Sequence, residues 1–581
     1  MLQTLPWEAV QALEVRHQIA IILLIIPFLT YIITSIRSAI ALHAKGERKP
    51  PILPYWLPWL GNLIESGNPA KLASNITKRF GFSVPVRVRV GPVKGYLVSD
   101  AAHFDLLLRG ARNLNSTPGI ILVLRNMFGL PQSAGDFYAE DNSGIAATPI
   151  PGSQVAPHNR MAHLRHGAAA KLLYGPHLRN MTDRFIQNFT KQIDDFKEVG
   201  PEWVEYPDLV DWLQRFMFQA ATTSLMGHHV FRFNPNFSDD FWEFMYYLPT
   251  LMKGYPRWMN PKAWKARERC LDTITKYHKH AWENVDHEKD DDSVEYEEFF
   301  GARIMRVRYT YAKKMEKMSD QARAAEDLAM VFAANANAVP AAMWFIIEFL
   351  RDPNLLQRVR SEVDLARLPT AKGELPKFDV SKLCDGALLQ SVWAETLRLR
   401  VTIALIRAPE KQDFKLGNWI FPKNDLIFLS SRTAAFNKEV WNEGKEQEEE
   451  HPVDEFWADR FIVYPDDPKS GPLKNPNAPK GSDGLKGDRE TPDEKVDKGK
   501  PRFSTAGLAG AFVPFGGGVR MCPGRFFAKN EMMAAFALLS SCYDIELHVP
   551  DGWRPEPDMK YFAMGTLPPK DVIPFRIRRR V

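Results

Sequence analysis

Cysteine is scarce in this sequence of 581 residues: Cys270, Cys384, Cys522 and Cys542 stand far apart. Without a CxxC pair there is no zinc site of the usual spacing, and four scattered thiols make no disulfide framework. A reducing, cytosol-facing environment fits best. An excess of one charge is also missing. Lysine and arginine number 75 against 70 acidic residues, a net charge of +5, and no dense basic stripe marks a nucleic-acid surface. No internal repeat is present, which excludes solenoids and propellers. No strong linker divides the chain, and 45% hydrophobic residues give ample material for a single large domain.

Membrane-length apolar runs are nearly absent; the exception is Ile19 to Ile36. Pro27 inside it is tolerable in a membrane helix. Arg37, Lys45, Arg48 and Lys49 follow the run, whereas Arg16 before it is offset by Glu8 and Glu14. The positive flank belongs on the cytosolic side. No small-residue cleavage site follows, so the run reads as an anchor rather than a removed signal. The expected layout is a short lumenal N-terminus (1–18), a transmembrane helix (19–36), a basic, proline-rich hinge (37–62) and a catalytic domain (63–581). Within the hinge, the prolines from Pro50 to Pro58 fix φ and remove amide donors, which predicts a stiff connector.

The pattern beyond is mainly α with minor β-sheets. Short strands are expected over 84–98 and over 415–429, the latter with a turn at Gly417-Asn418. A long loop is expected over 131–157 and mostly helix over 160–350, broken by a solvated acidic run at 286–298. Residues 464–505 are rich in Pro, Gly, Lys and Asp and nearly free of aromatics, as befits a low-complexity surface insertion.

The segment that carries chemistry is Phe515-Gly516-Gly517-Gly518-Val519-Arg520-Met521-Cys522-Pro523-Gly524-Arg525. Glycines on both sides of Cys522 permit tight turns and close approach to a flat macrocycle. The helix expected over 526–539 points its positive end at the sulfur. Arg520 is a cation suited to a haem propionate, and Phe515 an aromatic shield. A dinucleotide loop needs a third glycine where Met521 stands. Zinc needs further Cys or His ligands nearby, and there are none. A purely structural glycine turn stays open on this segment alone.

The segment resembles the cytochrome P-450 signature FxxGxRxCxG, at Phe515, Gly518, Arg520, Cys522 and Gly524. The resemblance extends from the hinge to the C-terminus and implies the cytochrome P-450 fold with haem b bound through Cys522. Glu395 and Arg398, an ExxR pair on the helix Leu388 to Arg400, would form a buried structural network with Arg460. Taken alone, their spacing favours an ordinary surface bridge. Arg407 matches a second propionate-binding arginine; an exposed arginine is the alternative there.

On the oxygen-side helix (Asp327 to Leu350), Ala336 stands where the family has an acid and Asn337 where it has a threonine. Pro340 is expected to kink this helix. Asn followed by Pro three residues on resembles the branch of sterol 7α- and 12α-hydroxylases and prostacyclin synthase. The terminal turn Tyr561 to Pro569 is similar to that branch's substrate-contacting turn. Ala333, Met564, Thr566 and Leu567 are thereby expected in the substrate pocket. The 464–505 insertion departs from the family.

The resemblance implies a monooxygenase that takes O2, electrons from NADPH through a cytochrome reductase, and a lipophilic substrate such as a sterol, terpenoid, fatty acid or polyketide. A monomer is expected, single-pass in the endoplasmic reticulum with its catalytic domain facing the cytosol. Two alternatives remain at this point: a haem-thiolate isomerase of peroxides or endoperoxides, needing no reductase, and a haem-binding protein without turnover.

Overall fold

Apolar side chains without charge satisfy their backbone in nonpolar surroundings only as helix. The 19–36 run lies inside one α-helix, Trp7–His43, which includes Pro27. The computed structural model describes residues 7–109, 114–287, 294–444, 450–475 and 499–580. Most of the low-complexity insertion, 476–498, lies outside the described residues. The chain divides into two compact units.

The first unit comprises residues 1–116, 404–437 and 509–513. Its sheet grows from the alternating Val86–Val90, which pairs antiparallel with Val93–Val98. Val93–Val98 pairs parallel with Leu426–Ser430, and that strand pairs antiparallel with residues 404–407. One face buries Tyr96, Val98, Phe104, Leu107, Ile427 and Leu429. The expected strands at 415–429 include the hairpin Phe414–Leu416 and Trp419–Phe421. Gly417 adopts a φ of +58° in its turn, where a side chain would be strained.

The proline hinge does more than connect. Leu53 N donates to Arg87 O and Arg87 N to Pro51 O, both at 2.8 Å, so the hinge covers the edge of Val86–Val90. The helix Trp7–His43 is seated on the hinge. Tyr31 stacks on Trp56 with centroids 4.3 Å apart, and Tyr55 N donates to Thr34 Oγ1 at 3.3 Å.

The second unit comprises residues 117–403, 438–508 and 514–581. Its centre is the helix Ala338–Arg351, in which every residue from Ala338 to Phe349 is buried. Among the described residues, Ile25–His43 and Asp320–Arg351 are both apolar and long enough to cross a membrane. The second is a core segment, mostly enclosed by protein. Phe349 stacks on Phe536 of the helix Arg525–Cys542 at 4.4 Å.

Three segments differ from expectation. The helix Gln132–Glu140 occupies part of the expected 131–157 loop. Its Gly, Ser and Asp argue locally against helix, but burial of Ala134, Phe137 and Tyr138 overrides propensity. The oxygen-side segment is not one kinked helix but two, Asp320–Asn335 and Ala338–Arg351. Pro340 has no N–H for the Ala336 carbonyl, and its ring crowds that carbonyl, so the break falls at Ala336-Asn337. Part of the acidic run, Tyr296–Glu297, forms a small ladder with Gly301–Ala302, while 288–293 lie outside the described residues.

Candidate active site

Cys522 sits in a loop built by glycine conformation. Gly516 and Gly518 have φ of +71° and +64°. These turns bring Cys522 N to Phe515 O at 2.9 Å and Met521 N to Gly518 O at 3.1 Å. The helix Arg525–Cys542 starts immediately after. The thiol keeps accessible surface of its own although protein packs densely around it. That burial pushes its pKa up, while the backbone N–H groups of Gly524 and Arg525 and the Arg525 charge pull it down. The sulfur therefore faces amide donors and a helix N-terminus, the setting a thiolate ligand needs. The other cysteines have no comparable donor set. Burial drives Cys384 and Cys542 up to about 11, and Cys270 further still.

Cations gather beside this loop. Arg520 is held below its usual range by burial and by the nearby Arg165 charge. His166 is pushed down by burial and then by Arg520, His163 and Arg165. His163, Arg165 and His166 all lie on the helix Met161–Leu172, and none of them was singled out from the sequence. The available signal was three basic residues in the four positions His163 to His166. Burial would lower Arg165, but Tyr138 and Glu326 beside it raise it; for Arg520 an anionic partner would relieve the repulsion. A reachable thiolate-type sulfur, a glycine loop and a convergent cationic set fit a flat macrocycle bearing two carboxylates.

The loop is tied to the ExxR helix, Ala387–Arg400. Phe515 stacks on Trp393 with centroids 6.0 Å apart. One turn on, Arg398 Nε donates to Glu395 Oε2 at 2.7 Å and Arg398 Nη2 to Oε1 at 2.8 Å. Arg460 Nε donates to the same Oε1 at 2.9 Å and Trp457 N at 3.1 Å. The side chains of Glu395, Arg398 and Arg460 are wholly inaccessible. Burial alone would raise the Glu395 carboxyl, but the two guanidiniums hold it below the ordinary carboxylate range. Arg398 and Arg460 also donate to the carbonyls of Val453 and Pro452, at 2.6 and 3.1 Å. A surface bridge is thus excluded by the geometry. Arg407, a residue of the first unit, is buried in the strand Val401–Pro409 and donates to Ile406 O at 2.9 Å.

At the broken helix the two asparagines face different tasks. Asn335 is buried and donates to Thr222 Oγ1 at 3.2 Å and Val331 O at 3.0 Å, which is packing. Asn337 accepts from Thr566 N at 2.9 Å through Oδ1. Its carbonyl is thereby committed and its orientation set, since a backbone donor requires the oxygen there. Its Nδ2 meets no protein acceptor among the described residues.

The strand Met564–Thr566 that carries this donor pairs with residues 401–403. Ala333 is exposed and Met564 half-buried, whereas Ala336, Thr566 and Leu567 are buried. Leu567 has no accessible side chain at all, so it packs the core instead of lining a pocket. Glu531, nine residues past Cys522, also escaped sequence analysis. It is fully buried with both carboxyl oxygens unpartnered among the described residues, and burial pushes its pKa well above the carboxylate range.

Residues 135–456 and 498–574 match the family model for cytochrome P450. The gap between the matched stretches contains most of the low-complexity insertion. The chain is 34% identical over 551 residues to "Cytochrome P450 monooxygenase efuG" of Hormonema carpetanum, covering 94% of this chain and 92% of that protein. It is 34% identical over 569 residues to "Cytochrome P450 monooxygenase fsoE" of Humicola fuscoatra, covering 96% and 93%. It is 26% identical to "Cytochrome P450 7A1" of Rattus norvegicus, covering 70% of this chain and 74% of that protein. Among solved structures, "Retinoic acid bound cyanobacterial CYP120A1" superposes with a TM-score of 0.60 at 18% identity, covering 92% of this chain and all of that one.

Proposed function

Since the chain belongs to the cytochrome P450 family and is an oxygenase, we propose that it inserts one atom of O2 into a lipophilic substrate of sterol or terpenoid size, with electrons from an NADPH-dependent reductase. The observation that carries this reading is the Cys522 loop, whose sulfur faces two amide donors and a helix N-terminus beside a cationic set. Haem, when bound, supplies the activation of oxygen. Cys522 Sγ would hold the iron, Arg520 with Arg165 and His166 would hold the propionates, and the resemblance alone assigns Arg407 to that role. Asn337 Nδ2 is the side-chain donor left for a water or a substrate oxygen in the pocket. The resemblance assigns Ala333 and Met564 to the same pocket.

The lipophilic class is supported by the anchor helix, which would deliver the site to bilayer-dissolved compounds. The sterol-sized class is supported by the relatives, one of which is named "Cholesterol 7-alpha-monooxygenase". One observation favours a second reading: Ala336 places no acid beside Asn337, so proton delivery has no side-chain source there. A peroxide isomerase needs none. The test is turnover of a sterol or terpenoid panel with and without reductase, NADPH and O2. Product that requires all three supports monooxygenation. Reductase-free rearrangement of an endoperoxide overturns it.

A further inference from the structure

The terminal turn is bolted to the core at several points. Trp344 Nε1 donates to Leu567 O at 2.7 Å, and Leu567 N donates to Arg400 O at 2.9 Å. Thr402 Oγ1 donates to Gly565 O at 3.3 Å, and Ala563 N donates to Thr402 Oγ1 at 3.2 Å. Trp344 is itself covered by the Arg400 guanidinium, 3.7 Å from the ring centroid. Between these fastenings the backbone takes unusual paths: Ala563 has φ of +70° and Gly565 of +143°. Such conformations persist only where surrounding structure imposes them.

Gly565 is the point at which this turn meets the broken helix. A Cβ built there would lie 2.1 Å from Asn337 Oδ1 and 3.1 Å from Asn337 Cγ. No backbone atom is among these nearest neighbours. An added methyl would therefore push the Asn337 amide aside before it reached the helix backbone, and the φ of +143° would add backbone strain that does not depend on Asn337. It would also break the hydrogen bond from Thr566 N that fixes which end of the amide faces outward.

We propose that Gly565 is a positioning residue: by presenting no side chain, it lets the Thr566 amide lock Asn337 with its NH2 group turned outward as a preset donor. The inference rests on the reading of Asn337 as a donor in the oxygenase site, and deepens it. A carboxamide free to rotate presents acceptor as often as donor. Seating the oxygen on a rigid backbone N–H removes that choice and the reorganisation it would require.

The test uses the haem-loaded full-length chain in four forms: wild type, Asn337→Ala, Gly565→Ala and the double variant. Haem content and thermal midpoint establish folding. The infrared C–O stretch of the reduced carbon-monoxide complex reports a nearby donor without turnover, and peroxide released per NADPH reports coupling. Asn337→Ala should shift the stretch upward and lower product per NADPH by about 10²-fold. Gly565→Ala should do the same with Asn337 still present, and the double variant should go no further.

The thermal midpoints should also be non-additive, because Asn337→Ala vacates the space that the new methyl needs. If Gly565→Ala fails to fold, recovery of folding in the double variant supports the inference; failure of both overturns it. A Gly565→Ala protein with the wild-type stretch and coupling also overturns it. If Asn337→Ala leaves both readouts unchanged while the midpoints remain non-additive, the donor reading falls and Gly565 serves packing alone.

Discussion

Cys522 is distinguished from the other three cysteines by what its sulfur faces. Burial still raises its pKa, but two backbone N–H groups and the Arg525 charge offset part of that rise, whereas Cys270 lies in the core near Asp240 O. Cys522→Ala should abolish the red-shifted Soret band of the reduced carbon-monoxide complex, and alanine at 270, 384 or 542 should preserve it. A normal spectrum from the Cys522 variant would remove the central assignment. Asp327 supports a different prediction. Burial by itself would raise this carboxyl, but Arg308 and His278 outweigh it and hold it below its usual value, with contacts of 2.9 and 2.8 Å. The ionised form therefore stabilises the fold above the ordinary carboxylate range. That contribution is lost as pH falls through the lowered folded-state value. Asp327→Asn should melt lower than wild type at neutral pH, with the gap closing as pH drops below about 4. A gap that stays constant with pH in differential scanning would show that the charge carries no stability.

Between elements, the Glu395 triad acts as a clamp. It joins the helix Ala387–Arg400 to Arg460 and to the carbonyls of Val453 and Pro452. Phe515 on Trp393 connects that clamp to the cysteine loop. Removing Glu395 strands two buried guanidiniums at a cost of about 3–5 kcal/mol. Glu395→Ala should give little haem-loaded protein, measured as haem per polypeptide after purification. Full loading at wild-type stability would show the clamp to be dispensable.

The insertion borders on this clamp. Asn442 Nδ2 donates to Lys469 O and Gly471 O at 2.9 and 2.8 Å, and Ile462 pairs with Phe503. Low complexity thus begins later in the structure than composition suggests. A short run rich in Pro, Gly and Lys can still supply backbone carbonyls to a buried amide.

At the scale of the molecule, the N-terminal apolar helix has contacts of its own with the rest of its unit. The helix Trp7–His43 spans 37 residues, about 55 Å at the usual rise. That is well beyond a hydrocarbon core of roughly 30 Å. Its last turns bear on the hinge, where Thr34 and Ser38 are buried and Tyr31 stacks on Trp56. A chain lacking residues 1–30 should lose flotation with lipid vesicles yet keep its carbon-monoxide spectrum and thermal midpoint. A chain lacking 1–43 should melt lower, because the hinge loses those contacts. Equal melting of the two truncations would show that the seated turns contribute nothing.

By itself the sequence determined the helix-rich class, the N-terminal apolar helix, the cysteine loop, the ExxR helix and the hairpin at Gly417. Each is written in local terms: a long apolar run, a glycine pattern, an i, i+3 pair, a turn residue with positive φ. It left open whether Glu395 and Arg398 formed a surface bridge, because spacing does not reveal burial. The tertiary structure decided that, by enclosing the pair with Arg460 from a segment about sixty residues away. It also decided the helix at Gln132–Glu140, the cationic set on Met161–Leu172, the burial of Leu567 and the commitment of Asn337 Oδ1 to Thr566. These depend on residues distant in the chain, and partners across such separations leave no periodicity to read. The break at Ala336-Asn337 lies between the two cases. Pro340 announced a disturbance, but only packing against the terminal turn determined what the freed asparagine would hold.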